Sequence, residues 1–266
     1  MRVDRSIVLA AALAMLGTAP ARAQRKAPEG ARVLLLSGGQ REHHGYREQA
    51  MYLAGLLEDT RRYQVTIAED ASILEPAALS RYDLVVLTAD RRDPEHKLTA
   101  AQQQALVDFV KSGRGLVALH GADNAAPDWS PEFRHMLGGV FSHVGLPDGK
   151  VKKGHYAVKL VGAHPITEGT KDFVLVDELY YHMQMEPDVT PLATIDHDGG
   201  TWPVAWARTC GGGRVFHTPL GHRDFGPDKD DPLRDPNLAR IVLKGVDWVA
   251  AGVPNRPRVG RAASAR

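Results

Sequence analysis

The stretch Arg114-Gly-Leu-Val-Ala-Leu-His120-Gly-Ala is the clearest indication of the fold of this chain. Residues 115–119 form a short apolar run that predicts a buried strand, and His120 stands where this strand gives way to a glycine-containing turn. In an open parallel sheet the carboxyl ends of the strands form the ligand crevice. The sequence therefore predicts that His120 lies at a site.

Two further segments place histidine after a predicted strand. The run 32–36 leads through Ser-Gly-Gly to His43 and His44, and the run 214–218, which contains His217, leads through a Pro/Gly turn to His222. Adjacent histidines in a loop rarely point the same way, so at most one of His43 and His44 is expected to face a site. We expect the imidazoles of the three segments to converge at one edge of the sheet.

The rest of the chain alternates short β-rich runs with helical patterns, which is typical of a parallel sheet covered by helices on both faces. Strands are predicted at 32–36, 64–68, 82–88, 115–119 and 214–218, and helices at about 46–57, 99–112, 131–137 and 237–251. Residues 139–206 contain short irregular pieces, which predict strands and loops added to the core. The predicted class is α/β, with a mostly parallel central sheet and a β- and loop-rich insertion.

Apolar spacing and capping residues give the predicted helices their faces and ends. In the first helix, Met51, Ala54 and Leu57 are expected to face the core. Thr99 begins a later helix, and Gln102 follows at the spacing of a reciprocal capping box.

Residues 1–23 have a basic start, an apolar middle and small residues that end in Ala-Arg-Ala, a pattern that predicts a signal peptide. No other segment offers the roughly 20 continuous apolar residues that a membrane span needs. We therefore expect an exported protein, periplasmic or secreted. One domain is predicted at 31–253, with a disordered tail at 254–266.

The charge and the cysteine content of the chain limit its expected partners and chemistry. The formal net charge is +1, and the sequence has no stripe of basic residues of the kind that binds a phosphate backbone. Nucleic acid is therefore not an expected partner. Cys210 is the single cysteine, which excludes an internal disulfide, and its glycine-rich turn argues against a nucleophilic role. The sequence does not determine the oligomeric state, and a homo-oligomer is one alternative.

His120 has the most informative position of the candidate residues. A strand-to-helix turn lifts one side chain above the sheet edge, where hydrolases of related architecture carry a serine or cysteine nucleophile. Imidazole in that place suits a general base, a general acid or a metal ligand. The alternative is a histidine that only caps the following helix.

The segment 177–182 concentrates carboxylates, phenols and an imidazole. If it is a strand, alternation puts Glu178, Tyr180 and His182 on one face, and Asp177 on the other. The first face suits proton transfer or the recognition of hydroxyl groups. The alternative is a solvated edge strand.

Metal binding is an open alternative with unassigned ligands. His217 and His222 flank a turn that can bring them together, although this spacing is less specific than His-Glu-x-x-His. Zinc requires three or four nitrogen, sulfur or oxygen ligands, and no local spacing demands such a set. Trp206 lies in the loop-rich region, where an aromatic face suits a sugar ring or simple packing.

The chain resembles the trehalose-utilisation ThuA-like family over roughly residues 31–251. Each motif is weak alone, but their order and spacing are specific. The motifs are Val33-Leu-Leu-Leu-Ser-Gly-Gly followed by His43 and His44, Gly115-Leu-Val-Ala-Leu-His120-Gly-Ala, His164-Pro-Ile166-Thr, Asp177-Glu-Leu-Tyr180, Pro203-Val-Ala-Trp206 and Gly213-Arg-Val-Phe-His217-Thr-Pro-Leu-Gly-His222.

This resemblance implies a flavodoxin-like three-layer sandwich of the class I glutamine amidotransferase-like superfamily. The family lacks the amidotransferase nucleophile, and here His120 stands where cysteine would be expected, so glutaminase activity is not expected. The family is associated with disaccharide catabolism through 3-keto sugars. This chain differs from the family in its predicted export signal, so a role in the use of cytoplasmic trehalose does not carry over to it directly.

The leading hypothesis is an enzyme that transfers a proton next to the ketone of a 3-keto-glycoside, as a lyase, isomerase or hydrolase. His120, Glu178 and His217 are the candidate catalytic residues. The candidate substrate-binding residues are His44, Tyr180, His182, Trp206 and His222. The alternatives are a carbohydrate-binding accessory protein without turnover and a zinc-dependent hydrolase.

Overall fold

The computed structural model describes residues 29–39, 44–141, 149–226 and 229–254. The predicted signal peptide, His43 and the tail from residue 255 lie outside the described residues. The strands are β1 (Ala31–Gly39), β2 (Tyr63–Ala68), β3 (Leu84–Asp90), β4 (Gly115–Leu119), β5 (Gly139–Val140), β6 (Lys150–Leu160), β7 (Phe173–Tyr181), β8 (Gln184–Met185), β9 (Thr190–His197), β10 (Gly200–Cys210) and β11 (Gly213–Thr218). The helices are α1 (Tyr46–Asp59), α2 (Pro76–Leu79), α3 (Ala100–Lys111), α4 (Pro131–Leu137) and α5 (Pro236–Gly252).

Nine of the described strands form one mixed sheet in the order β2-β1-β3-β4-β11-β10-β9-β6-β7. The first five run parallel to one another. This order is that of a flavodoxin-like sheet, in which ligands bind beyond the carboxyl ends of the strands. The predicted α/β class with a mostly parallel core is confirmed.

Helices cover both faces of the parallel strands. Side chains of α1 and α5 pack against one face, and those of α3 and α4 pack against the other. Strands between two apolar layers have no solvent face, which explains the uninterrupted apolar runs in the sequence. Among the described residues, no helix has the length and apolar character needed to cross a membrane.

The predicted helix faces hold with one exception. The capping box of α3 is present, because Thr99 Oγ1 accepts the Gln102 N–H at 3.2 Å and Gln102 Oε1 accepts the Thr99 N–H at 2.9 Å. In α1, the placement of Met51 in the core is wrong, since this side chain is 54% exposed. Ala50 and Leu53 take the buried positions, because they lie on the same helix face as Leu57.

The region 139–206 extends the core sheet instead of only decorating it. β9 pairs antiparallel with β10, and β6 joins β9 through Lys159 and Leu160. β6 and β7 then form a long antiparallel hairpin at the edge of the sheet. This hairpin carries side chains to the residues that follow the carboxyl ends of β4 and β11.

Candidate active site

Three histidines meet beyond the carboxyl ends of the parallel strands. His44 lies between β1 and α1, His120 directly follows β4, and His222 lies in the loop after β11. Their exposed fractions are 4%, 1% and 7%, so all three side chains are buried. The parallel sheet brings them together although they come from distant parts of the chain.

His120 Nε2 is the centre of this histidine cluster, which comprises His44, His120 and His222. It lies 3.2 Å from His44 Nε2 and 2.9 Å from His222 Nδ1. The hydroxyl of Tyr180 lies 3.0 Å from the same His120 nitrogen. Four ring or hydroxyl groups thus share one small volume.

The outer partners of two rings determine which nitrogen carries hydrogen. His120 Nδ1 lies 2.8 Å from the carbonyl oxygen of Pro219, which only accepts hydrogen bonds, so this nitrogen donates. His222 Nε2 lies 2.9 Å from a carboxylate oxygen of Asp224 and donates in the same way. In the neutral rings, the nitrogens that face the cluster therefore carry lone pairs.

The backbone at His120 has the geometry of a nucleophile elbow. His120 begins a short 3₁₀ turn (His120–Asp123) and has a φ of 43°, in the left-handed region that few side chains adopt. A Cβ atom on Gly121 would lie only 2.6 Å from the Tyr46 hydroxyl. Glycine is therefore required after His120, and the strained turn holds an imidazole in place of a nucleophile.

β7 supplies a carboxylate and a phenol to the cluster. Glu178 Oε2 lies 3.2 Å from His222 Nδ1 and 3.7 Å from His120 Nε2. Tyr180, two residues along the same strand, stacks on Phe141 at a ring separation of 4.2 Å. As predicted, Glu178 and Tyr180 share one strand face.

A cavity of about 280 Å³ opens beside the cluster. Two histidines of the cluster, Glu178 and Tyr180 contribute to its wall, whereas His120 is not among the lining residues. The cavity is lined by His44, Arg92, Val151, Lys153, Glu178, Tyr180, His222 and Asp224.

Burial and neighbouring charges separate the protonation states in the site. Burial, together with the charge of His222, lowers the pKa of His120 to about 3, so this ring stays neutral. Burial also lowers the pKa of His222, but the hydrogen bond and charge of Glu178 outweigh this effect and raise it overall. Burial and the charge of Glu178 raise the pKa of Tyr180 well above its usual value, which keeps the phenol protonated.

Asp177 holds the loop that carries His222. Its carboxylate accepts the backbone N–H groups of Gly221 at 2.7 Å and His222 at 3.0 Å. The side chain is 4% exposed, and burial raises its pKa to about 7 although the backbone donors lower it. Asp177 and Glu178 therefore secure His222 from opposite faces of β7.

Three candidate residues lie away from this group. His182 follows the end of β7 with a φ of 56°, and its ring packs against Trp202 at 4.3 Å. Trp206 is fully buried and donates its indole N–H to the Leu137 carbonyl oxygen at 2.8 Å. His217 is also fully buried; its Nε2 lies 3.1 Å from Asp123 Oδ2.

The structure adds residues to which the sequence assigned no role. Lys153 on β6 stands opposite Glu178 in the hairpin register, and its ammonium lies 2.5 Å from Asp224 Oδ1. Asp224 could have been found from its position two residues after His222, within reach of the ring. Lys153 had no such signal, because the register of β6 against β7 decides which lysine of the basic run faces the site.

A flavodoxin-like sheet with an elbow after β4 is the architecture of the class I glutamine amidotransferase-like proteins, with His120 at the elbow. The family model described as ThuA, trehalose utilisation, matches residues 32–249. The chain belongs to the ThuA family, and this membership indicates a carbohydrate-related role.

Solved structures support the same fold. A ThuA-like protein from Parabacteroides merdae aligns with a TM-score of 0.70 and 23% identity, covering 86% of this chain and 93% of that chain. A ThuA-like protein from Bacteroides uniformis aligns with a TM-score of 0.64 and 21% identity, covering 84% and 92%. A cytoplasmic protein from Salmonella typhimurium LT2 aligns with a TM-score of 0.56 and 17% identity, covering 84% and 100%. No curated protein matches the chain.

Proposed function

We propose that the protein is an enzyme that removes a proton beside the carbonyl group of an oxidised carbohydrate, such as a 3-keto-glycoside. The observation that carries the proposal is the placement of Glu178 and Tyr180 at one wall of the cavity, next to the histidine cluster. A carboxylate and a protonated phenol are the acceptor and donor that enolate chemistry requires.

The proposed step follows from the chemistry of the ketone. Glu178 accepts the proton from the carbon next to the carbonyl, and the C–H electron pair moves toward the carbonyl oxygen. Tyr180 donates a hydrogen bond to the oxygen as negative charge develops there. In a 3-keto-glycoside the proton leaves C2, and collapse of the enolate expels the substituent oxygen from C1, which takes up the proton that Glu178 removed. Reprotonation at C2 instead gives isomerisation.

The positions of the histidines revise the roles expected from the sequence. His120 is 1% exposed and does not line the cavity, so we assign proton removal to Glu178 and give His120 a supporting role. His44 and His222 line the cavity, which supports assigning them contacts to the substrate. His217 reaches Asp123 and has no part in the proposed step.

The experiment follows hydrogen exchange at carbon. The mature, tag-free protein is incubated in D₂O with 3-keto and ordinary disaccharides, and products are identified by NMR. We expect turnover of the keto sugars alone, with deuterium entering at C2 where isomerisation returns a proton. Glu178→Gln is expected to abolish turnover while retaining ligand affinity, and the matched control Glu186→Gln, on the surface beside His135, is expected to retain both.

Each other result rejects the proposal in favour of an alternative. Binding of sugars without turnover supports a carbohydrate-binding accessory protein. Hydrolysis of ordinary disaccharides supports a hydrolase. Turnover that survives Glu178→Gln removes the proposed base.

We also propose that the protein is exported, because residues 1–23 combine a basic start, an apolar middle and an Ala-Arg-Ala end. Expression of the whole chain in a bacterial host, followed by cell fractionation, tests this. We expect mature protein beginning after Ala23 outside the cytoplasm. Uncleaved protein confined to the cytoplasm would refute export.

A further inference from the structure

The geometry points to a divalent transition-metal site, of the kind that zinc occupies, formed by His44 Nε2, His120 Nε2 and His222 Nδ1. The binding of the ion is independent of the proposed function, and only its role in the reaction rests on that function. Three imidazole nitrogens from three different loops supply the ligands.

The separations between the three nitrogens fit such an ion. Imidazole nitrogens about 2.0 to 2.1 Å from a tetrahedral zinc ion lie about 3.3 Å from one another. His120 Nε2 lies 3.2 Å from His44 Nε2 and 2.9 Å from His222 Nδ1, and all three nitrogens lie within 4.8 Å of one another. Small changes in ring angle are enough to reach the separation that zinc requires.

The outer hydrogen bonds supply an independent argument. Histidines that bind metal usually donate their second ring N–H to a backbone carbonyl or a carboxylate, which fixes the tautomer. His120 does so to the Pro219 carbonyl oxygen, and His222 does so to Asp224. In their neutral forms both rings therefore direct lone pairs toward one point, where either a proton or a metal cation can be held.

A nearby carboxylate supplies negative charge beside the proposed metal position. Glu178 Oε2 lies 3.2 Å from His222 Nδ1, so its negative charge stands beside the point where a positive ion would lie. Three protein ligands leave a coordination position open, as in catalytic zinc sites. An ion held there would polarise the substrate carbonyl as a Lewis acid, with Glu178 and Tyr180 adjacent to the bound oxygen.

A second group of candidate ligands provides a matched control. His135, Glu186 and Asp188 also lie close together, but on the surface. The guanidinium of Arg208 lies 2.9 Å from both His135 Nε2 and Asp188 Oδ2, so a cationic side chain already occupies this group. We do not expect a metal ion there.

The test measures metal content directly. Full-length precursor is expressed without a histidine tag, and the resulting protein is stripped with a chelator, loaded with Zn²⁺ or Co²⁺, and dialysed. We expect about one ion per chain in the original protein, and at least a tenfold loss of affinity in His44→Gln, His120→Gln and His222→Gln. His135→Gln is expected to bind like the original protein.

Spectroscopy and thermal unfolding provide two further measures of metal binding, which are needed if one of the variants is unstable. Bound Co²⁺ is expected to show the intense visible absorption of four- or five-coordinate cobalt, and Zn²⁺ is expected to raise the melting temperature of the original protein. His44→Gln is the most informative variant, because His44 lies in the loop between β1 and α1 and is not part of a strand. It is expected to fold and to show neither effect.

Several results would overturn the site. These are the absence of bound ion in folded original protein, retention of affinity in all three histidine variants, or loss of binding in His135→Gln alone. Bound metal with no turnover of any sugar contradicts the proposed function and leaves the metal site intact. Turnover of keto sugars by metal-free protein contradicts the Lewis-acid role.

Discussion

The carboxylate of Asp177 accepts the backbone N–H of His222 at 3.0 Å, although Asp177 lies on an edge strand and His222 lies in a loop next to the core strand β11. The adjacent Glu178 contacts the ring of the same histidine. Because successive side chains of a strand point to opposite faces, this dipeptide holds both the backbone and the ring of His222. The β6–β7 hairpin is thereby joined to the core at the site.

Replacing Asp177 with Ala is expected to destabilise the protein. The substitution leaves the buried N–H groups of Gly221 and His222 without their acceptor, and a buried donor left unsatisfied costs about 1 to 3 kcal/mol. We expect the free energy of unfolding in urea to fall by about 2 to 4 kcal/mol. Asp128→Ala, which removes an exposed ion pair with Lys97, should change it by less than about 1 kcal/mol. Equal effects would show that Asp177 does not hold the loop.

Replacing Tyr180 with Phe is expected to reduce turnover without unfolding the protein. The ring keeps its packing against Phe141, while the hydroxyl that lies 3.0 Å from His120 Nε2 is lost. Loss of one donor to a developing oxyanion typically costs about 100-fold or more in kcat. Steady-state kinetics on the keto sugar measure this, with Tyr156→Phe as the control because its hydroxyl donates to the Lys152 carbonyl oxygen. An unchanged kcat in Tyr180→Phe would remove the proposed donor.

Replacing His217 with Ala separates a structural role from a catalytic one. The variant removes a fully buried ring and leaves Asp123 without this hydrogen-bond partner, and an unsatisfied buried polar group costs about 1 to 3 kcal/mol, or more when it is charged. We expect a large loss in the free energy of unfolding and near-normal turnover per folded molecule. Normal stability with lost turnover would instead place His217 in the catalytic machinery.

Two glycine-to-alanine substitutions test the packing of the core. A Cβ on Gly115 would lie 2.1 Å from Val249 Cγ1, so we expect Gly115→Ala to lower the free energy of unfolding by about 1 to 3 kcal/mol. Gly55, on an exposed face of α1, has nothing within 4 Å of such a Cβ. Gly55→Ala is expected to raise the free energy by about 0.4 to 1 kcal/mol, because it restricts the unfolded chain. The opposite signs should appear as opposite shifts of the thermal midpoint.

The elements of the core were predictable because their signals are local. The apolar runs of β1, β3, β4 and β11 reflect burial on both faces, and the capping box of α3 lies within four residues. The misplaced Met51 has a similar local origin. With 3.6 residues per turn, two neighbouring faces of α1 have apolar residues at similar spacing. Packing against the sheet buries the face that carries Ala50 and Leu53.

The insertion was less predictable because its signals are long-range. Alternation along β7 correctly grouped Glu178 with Tyr180, but it failed at His182, where the strand has ended and the backbone turns left-handed. Nothing in the local sequence places Lys153 opposite Glu178, since that depends on the register of two strands. The burial of His217 and Trp206 likewise depends on contacts with segments that are distant in the sequence.

The sequence predicted the α/β class, the order of the core elements and the convergence of imidazoles from three segments at one edge of the sheet, without selecting between His43 and His44. These follow from hydrophobic periodicity and from the parallel arrangement that it requires. Three-dimensional packing selects which imidazoles contact one another and which nitrogens face inward, and it brings Glu178 and Tyr180 to them from a distant hairpin. Those properties depend on strand register and on the direction of each side chain, which arise when remote segments pack together.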